Sequence, residues 1–323
     1  MSAHPFLTTV VEANIALKRG DLVAIPTETV YGLAGDAKNP DAVKKIFALK
    51  GRPANHPLIV HIGGAEQLPQ WALKIPDAAY RLAERFWPGP LTFILNKRGD
   101  VPIEVTGGQN TVGLRCPNNT VTLDLLKQFG GGLAAPSANR FGRISPTTAQ
   151  HVVDEFGAQS PLILDGGPCS IGIESTIVDL SQSPPRILRH GNIRFEQLQA
   201  YLPELQTGIA RNSPRVSGSL EAHYAPLTPM RILHRNEIMA GCFSNTLLLA
   251  LDALPDGMRG IALPNNAERY AQMLYAALRQ LDAMHADMIL VEQLPDDDSW
   301  LAIADRIKRA SKGSIQSLHE GQP

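Results

Sequence analysis

Between residues 10 and 20 apolar positions recur at helical spacing and stop at Gly20, and the next apolar run, "DLVAIPTETVYGLAGDA", is short and ends at Pro26. A helix followed by a strand is predicted. "DAVKKIFALKGR" reads as a second helix closed by Gly51. "PLIVHI", "LTFILN", "TVGLR", "LAAPSA", "PLILDGG", "STIVDL" and "RILRHG" are short β-rich runs set apart by Gly and Pro. Helices are predicted near 77–86, 120–129, 147–156 and 195–202, between some of these runs. The pattern defines a mixed α/β domain over residues 1–205. Residues 206–229 carry little periodicity and much Gly, Ser, Pro and Thr, which predicts an interdomain linker. Connections of that length without secondary structure are uncommon unless they have work of their own. Beyond it, "MRILH", "TLLLAL", "RGIALP" and "ADMILVE" alternate with helical stretches near 236–243, 267–283 and 299–311. That alternation predicts a small Rossmann-like parallel α/β domain over 230–323.

The 323 residues fit two domains. Lys and Arg number 30 against 31 Asp and Glu, a net charge of -1, so bulk attraction to nucleic acid or to an anionic membrane is excluded and any basic function is local. Cys116, Cys169 and Cys242 are far apart with no C-x-x-C pair, which argues against a disulfide framework or a zinc knuckle. The first 21 residues lack a charged segment followed by an unbroken apolar one, and no window is apolar enough for a membrane span. A cytoplasmic protein with reduced thiols is expected. There is no G-x-x-x-x-G-K-[ST] loop, no G-x-G-x-x-G opening a helix and no H-E-x-x-H. A nucleotide, if handled, is handled by another design.

"LKGRPANHPLIVHI" supplies the strongest local chemistry. Lys50 and Arg52 flank the Gly51 helix stop, and His56 and His61 follow within eleven residues of Lys50. Cations near a helix C-terminus ordinarily just complement its dipole. Here four nitrogen-rich groups bracket one turn, and His61 lies inside an apolar strand, which points to an anion or carboxylate site. "IPTETVYGL" offers Thr27, Glu28, Thr29 and Tyr31 after a strand, equally the pattern of a Thr-capped turn and of a small-ligand site. "AAPSANRFGRISPTT" sets Ser137, Asn139 and Ser145 past another strand, where small polar residues are commonly plain turn chemistry. Arg115, Ser175, Thr176, Arg189 and His190 lie at strand ends, and the planar fork of Arg suits carboxylate or phosphate. The acidic run "PDDDSW" at 295–300 reads as the solvated start of a helix, not a metal site.

In this order and spacing, "IPTETVYGLAGDA", "KGRPANHPLIVHI", "AAPSANRFG", "GIESTIVDL" and "ILRHG" resemble the threonylcarbamoyl-AMP synthase family built on the YrdC-type domain, over residues 8 to 205. "AHYAP" at 222–226 and the domain after it look like the long, two-domain form. The resemblance implies a YrdC-like mixed twisted sheet. It implies a nucleotidyltransferase that makes L-threonylcarbamoyl adenylate and pyrophosphate from L-threonine, bicarbonate or carbon dioxide, and ATP. The product would feed threonylcarbamoylation of adenosine 37 of tRNA through a separate transferase, with tRNA not stably bound here. The family's pattern assigns threonine to Thr29, His61, Arg115, Ser137 and Ser175, with Tyr31 beside them. It assigns ATP to Arg52, His56, Thr111, Asn139, Ser145, Arg189 and Tyr224. Lys50, Arg52, Ser137 and Asn139 match its "K-x-R … S-x-N" signature and are the expected catalytic set. Magnesium is expected on the ATP phosphates, held by ATP and water, and Tyr224 is expected to close over the nucleotide as part of a lid. In many relatives the segment after that Asn reads x-Ser-Gly, whereas here it is Arg140, Phe141, Gly142. An RNA-binding module is the alternative, disfavoured by the near-neutral charge. A related domain also serves carbamoyl transfer in hydrogenase maturation, but its acylphosphatase and zinc-knuckle segments are missing here.

Overall fold

The computed structural model describes residues 6–218 and 220–320, with backbone alone for 316–320. Residues 1–5 of the N-terminal stretch read above, and residue 219 of the linker, lie outside the described residues. The chain divides into two compact units. The first comprises Met1–Phe141, Pro146–Ser170 and Glu174–Ser219, and the second Gly142–Ser145, Ile171–Ile173 and Leu220–Pro323. Residues 206–229 therefore form no separate body. Gln206–Thr207 pairs in parallel with Arg186–Arg189 at the sheet edge, Arg215 Nη2 donates to the Gly107 carbonyl at 2.9 Å, and residues from Leu220 onward group with the second unit.

Local sequence explains the element boundaries in the first unit. The helix Val10–Lys18 begins with a capping box, in which Thr9 accepts from Glu12 N–H and the Glu12 carboxylate accepts from Thr9 N–H. Pro40–Lys50 starts on an Asn39 cap with Pro at its first position, and ends at Gly51, whose φ of 63° is left-handed. That turn redirects the chain so that Arg52 and His56 follow closely on Lys50.

Among the described residues, eleven strands form one mixed sheet. Across it run Gln206–Thr207, Arg186–Arg189, Thr176–Asp179, Leu91–Lys97, Thr111–Arg115, Ile59–His61, Leu133–Ala134, Gly32–Asp36, Val23–Ile25 and Leu162–Ile163, with Ala72–Leu73 paired to Leu91–Lys97. Side chains alternate faces along each strand. Val60, Leu114, Phe93 and Val178 enter the main core with Val43, Ile46 and Phe47 of the second helix and Ala79, Leu82 and Phe86 of Asp77–Phe86. Their strand neighbours His61, Arg115, Thr92 and Ile177 therefore point to the opposite face. A second cluster joins Ala13, Ala16 and Leu17 to Leu125 and Leu126 of Thr120–Phe129, over Val23 and Ile25.

The second unit is the parallel sheet expected. Met230–Leu233, Met288–Glu292, Thr246–Leu251 and Gly260–Leu263 lie side by side in that order, every neighbouring pair parallel. Leu233, Leu248, Ala250 and Leu290 form its core with Ile238 of the helix Arg235–Ala240. The last helix runs Leu301–Glu320, well beyond the 311 expected. Within it, a Cβ at Gly313 would come 2.9 Å from Ala225 Cβ, so that glycine allows close packing inside a continuing helix.

Candidate active site

Sheet register gathers the predicted residues on one face of the first unit. His61 is paired with Arg115, and Thr111 lies four residues before Arg115 on the same strand. Thr111 is paired with Asn96, four residues beyond Thr92, and Thr92 is paired with Ile177. Ile177 faces Arg189 and follows Ser175 by two. The period of two brings His61, Arg115, Thr111, Thr92 and Ser175 to the face turned away from the main core, and a register shift between Ile187 and Arg189 brings Arg189 there too.

Arg115 anchors one end of that face. It is buried, its Nη1 donates to the Thr29 hydroxyl at 2.9 Å, and its Nε donates to the Gly89 carbonyl at 3.2 Å. Glu28 lies 2.7 Å from Nη2, and both side chains are about 95% buried. The ion pair is close but off the hydrogen-bonding direction, because Glu28 Oε1 and Arg115 Nη2 have no aligned partner, while Glu28 Oε2 accepts from Asn118 N–H at 3.0 Å. Nη2 thus remains a donor aimed past its counter-ion. His61 beside it is driven to a pKa of about 3, first by burial and then by the Arg115 charge, and its Nδ1 has no protein partner among the described residues. A neutral imidazole and a compensated guanidinium next to a buried threonine hydroxyl suit a small zwitterion that carries a hydroxyl.

The helix-stop hook forms the second part. The Lys50 ammonium is buried and donates to the Ser137 carbonyl at 2.6 Å and to the Asn139 carbonyl. It ties the K-x-R turn to the S-x-N loop. Burial first, and then the Arg52 charge, pull its pKa well below the usual lysine range, with Glu155 opposing. Arg52 Nη2 donates to the Pro57 carbonyl at 3.1 Å and lies 3.3 Å from the Ser217 hydroxyl. His56 is half-buried, with its pKa lowered by burial, Arg52 and Arg215. Asn139 is buried, and its amide donates to the Arg140 carbonyl at 2.7 Å.

Arg189 closes the third side. Its Nε donates to the Ser175 carbonyl, its Nη2 to the Ser175 hydroxyl, both at 3.0 Å, and its Nη1 to the Ser217 carbonyl at 2.9 Å. The Ser175 hydroxyl also lies 2.8 Å from that of Thr92. Arg52 and Arg189 thus converge on the same residue of the 206–218 segment. Thr111, Ile59 and Gly113 line a small cavity with Arg215, Val216 and Ser217, on an apolar floor of Ile94 and Ile177.

Two predicted residues belong to the second unit. Ser145 is fully buried in the Gly142–Ser145 segment. Tyr224, at φ 62°, stacks on Tyr275 at 5.8 Å with the Arg306 guanidinium 5.6 Å from its ring. Tyr31 is buried with its hydroxyl 2.8 Å from the Gly167 carbonyl and 3.1 Å from the Asp165 carboxylate, accepting from Gly166 N–H. Its phenol is raised above the ordinary range by burial. Glu28, Thr92, Phe141 and Ser217 also shape the site, although no ligand is assigned to any of them from sequence. Glu28 stood in a noticed motif as a turn carboxylate, and strand alternation from Arg115 would have found Thr92. Phe141 and Ser217 enter only through tertiary approach, which no spacing carries.

Fold and site together define a two-unit α/β protein whose larger sheet presents buried cations on one polar face. Comparison with known proteins places that class. The family described as "Telomere recombination" matches residues 15–191, and "Threonylcarbamoyl-AMP synthase, C-terminal domain" matches 193–312. The threonylcarbamoyl-AMP synthase of Pyrococcus abyssi is 37% identical over 311 residues, covering 91% of this chain and 92% of that protein. That of Bacillus subtilis is 36% identical over 334 residues, covering 95% and 94%. A putative threonylcarbamoyl-AMP synthase of Mycobacterium tuberculosis is 34% identical over 193 residues, covering 60% of this chain and 88% of its own length. The crystal structure of P. abyssi Sua5 complexed with L-threonine superposes with a TM-score of 0.88 at 36% identity, covering 94% of each chain. The chain belongs to the threonylcarbamoyl-AMP synthase family.

Proposed function

We propose that the protein condenses L-threonine, carbon dioxide or bicarbonate, and ATP into L-threonylcarbamoyl adenylate and pyrophosphate. The observation that carries this reading is the buried Thr29–Arg115–Glu28–His61 cluster, on the same sheet face as Arg189, in a chain whose full-length relative was crystallised with L-threonine. The threonine carboxylate meets Arg115, and its hydroxyl and amine meet Thr29, Ser137, Ser175 and the neutral His61. The free amine takes up carbon dioxide as a carbamate, and one carbamate oxygen attacks the α-phosphorus of ATP as the bond to pyrophosphate breaks. If bicarbonate supplies the carbon, one water leaves.

No covalent enzyme intermediate is required, so the protein's work is to bring three small reactants together and to stabilise charge on phosphate. Arg52 and Arg189 supply fixed cations for the phosphates, with His56, Thr111, Asn139, Ser145 and Tyr224 as further nucleotide contacts. Lys50 holds the S-x-N loop against the hook, so the Arg52, His56 and Asn139 contacts form together. Magnesium arrives on the phosphates as part of the ATP substrate. The labile product passes to a separate transferase acting on tRNA adenosine 37. No helix among the described residues is long and apolar enough to cross a membrane.

The test is pyrophosphate release by purified protein with magnesium and ATP, with threonine and bicarbonate added or withheld. Release that requires both is expected, and release indifferent to threonine refutes the reading. Arg115→Lys should raise the KM for threonine about 100-fold and that for ATP little, because the planar two-donor fork is lost.

A further inference from the structure

The ring of Phe141 meets both side chains that the hook sends toward the nucleotide. Its centroid lies 5.3 Å from that of His56 at an interplanar angle of 89°, and the Arg52 guanidinium carbon lies 5.6 Å from it. The Phe141 N–H donates to the Lys50 carbonyl at 2.7 Å. The ring is therefore tied through its backbone to the end of the helix from which Arg52 and His56 issue. A guanidinium over an aromatic face is attracted by the ring's quadrupole and gives up little hydration on stacking. The same side chain donates to the Pro57 carbonyl and lies 3.3 Å from the Ser217 hydroxyl. Ring, carbonyl and hydroxyl together hold Arg52 in place.

We propose that Phe141 is a positioning residue for the nucleotide half of the site, holding Arg52 and His56 in the geometry that receives the phosphates. The inference rests on the nucleotide reading of Arg52 and His56 given above. It requires that the ring act on ATP and not on threonine. It also has a consequence in the absence of any ligand. The ring contributes to the burial that, with the Arg52 and Arg215 charges, lowers the His56 pKa. Removing it opens that imidazole to water.

The full-length chain is compared with Phe141→Ser, Phe141→Leu and Phe141→Tyr. Pyrophosphate release is measured against ATP and threonine separately, and His56 is titrated by NMR, with His56→Gln assigning its signal among the nine histidines. In Phe141→Ser the KM for ATP should rise about tenfold and that for threonine less than about twofold, and the His56 titration should move upward. Phe141→Tyr should restore both. Phe141→Leu keeps apolar bulk without the ring face; it should raise the KM for ATP as Phe141→Ser does, and it serves if the serine variant unfolds. An unchanged KM for ATP, or parallel rises for ATP and threonine, overturns the proposal. If the unsubstituted chain shows no threonine-dependent release, the proposed function fails instead. ATP binding measured by calorimetry then decides: weaker binding to Phe141→Ser, restored in Phe141→Tyr, upholds the positioning, and unchanged binding refutes it.

Discussion

At the scale of single residues, the Glu28–Arg115 pair and His61 carry the clearest consequences. Two charges taken so far from water are tolerable together and costly apart. Glu28→Gln leaves Arg115 uncompensated and is expected to lower unfolding stability by about 3 kcal/mol. The double substitution Glu28→Gln with Arg115→Met should cost less than the two singles summed, because it removes both charges. Urea unfolding of all four proteins checks this, and strict additivity would mean the pair is not coupled. His61 supplies a pH signature. Its pKa falls from 6.5 to about 3 in the folded chain. Above 6.5 the imidazole is neutral folded and unfolded, so it costs nothing. As pH falls from 6.5 toward 3, the unfolded chain takes a proton the folded one refuses, and stability is lost across that window. The slope is about 1.4 kcal/mol per pH unit. The stability of His61→Gln should therefore decline less steeply from about pH 6 to pH 4, by up to that slope; equal slopes would show that His61 is protonated in the native state.

At the scale of elements, two glycines separate backbone conformation from steric approach. Gly51 ends the hook helix at a positive φ of 63°, and a Cβ added there would meet no atom within 4 Å, so Gly51→Ala should cost only about 1 kcal/mol and leave a folded protein. At Gly191 a Cβ would meet Thr176 N at 2.4 Å and the Glu174 carbonyl at 2.6 Å, backbone that carries Ser175 into the Arg189 contacts. Gly191→Ala should therefore abolish activity and lower the melting temperature far more than Gly51→Ala; thermal melts of the two compare them directly. The elements themselves were largely legible. Helical period and caps marked Val10–Lys18 and Pro40–Lys50, and short β-branched runs marked the strands. Their lateral order was not, because Leu91–Lys97 beside Thr176–Asp179 is a parallel pairing across some eighty residues that only tertiary packing selects. The same holds for the site: Lys50, Arg52 and Arg115 stood out by charge and place, while the Lys50 tie to the Ser137 and Asn139 carbonyls uses backbone atoms that no residue type announces.

At the scale of the whole molecule, the chain order and the two compact units do not coincide. The segment Gly142–Ser145, three residues past Asn139, groups with the second unit. Its Gly142 carbonyl accepts from Ala225 N–H at 2.8 Å, Arg143 pairs with Asp282 at 3.2 Å, and the Ile144 carbonyl accepts from Arg279. Asp282 also accepts from Leu227 and Thr228 N–H, at 2.9 and 2.8 Å, so one carboxylate fixes the segment and the chain entering the second sheet. The first unit nevertheless owns its core, and the M. tuberculosis relative, nearly spanned by its match, covers only 60% of this chain. A chain ending at residue 218 is therefore expected to fold cooperatively and to bind threonine, whose proposed contacts Thr29, His61, Arg115 and Ser175 all lie in the first unit. It should melt lower than the full chain, and its ATP-dependent turnover should fall by at least about tenfold, because Gly142–Ser145 loses every partner named here and Ser145 is a proposed nucleotide contact. Calorimetry with and without threonine, beside pyrophosphate release, separates these effects. Full turnover by the shortened chain would show that the second unit does not organise the nucleotide loop, and loss of threonine binding would show that the first unit cannot hold its own site.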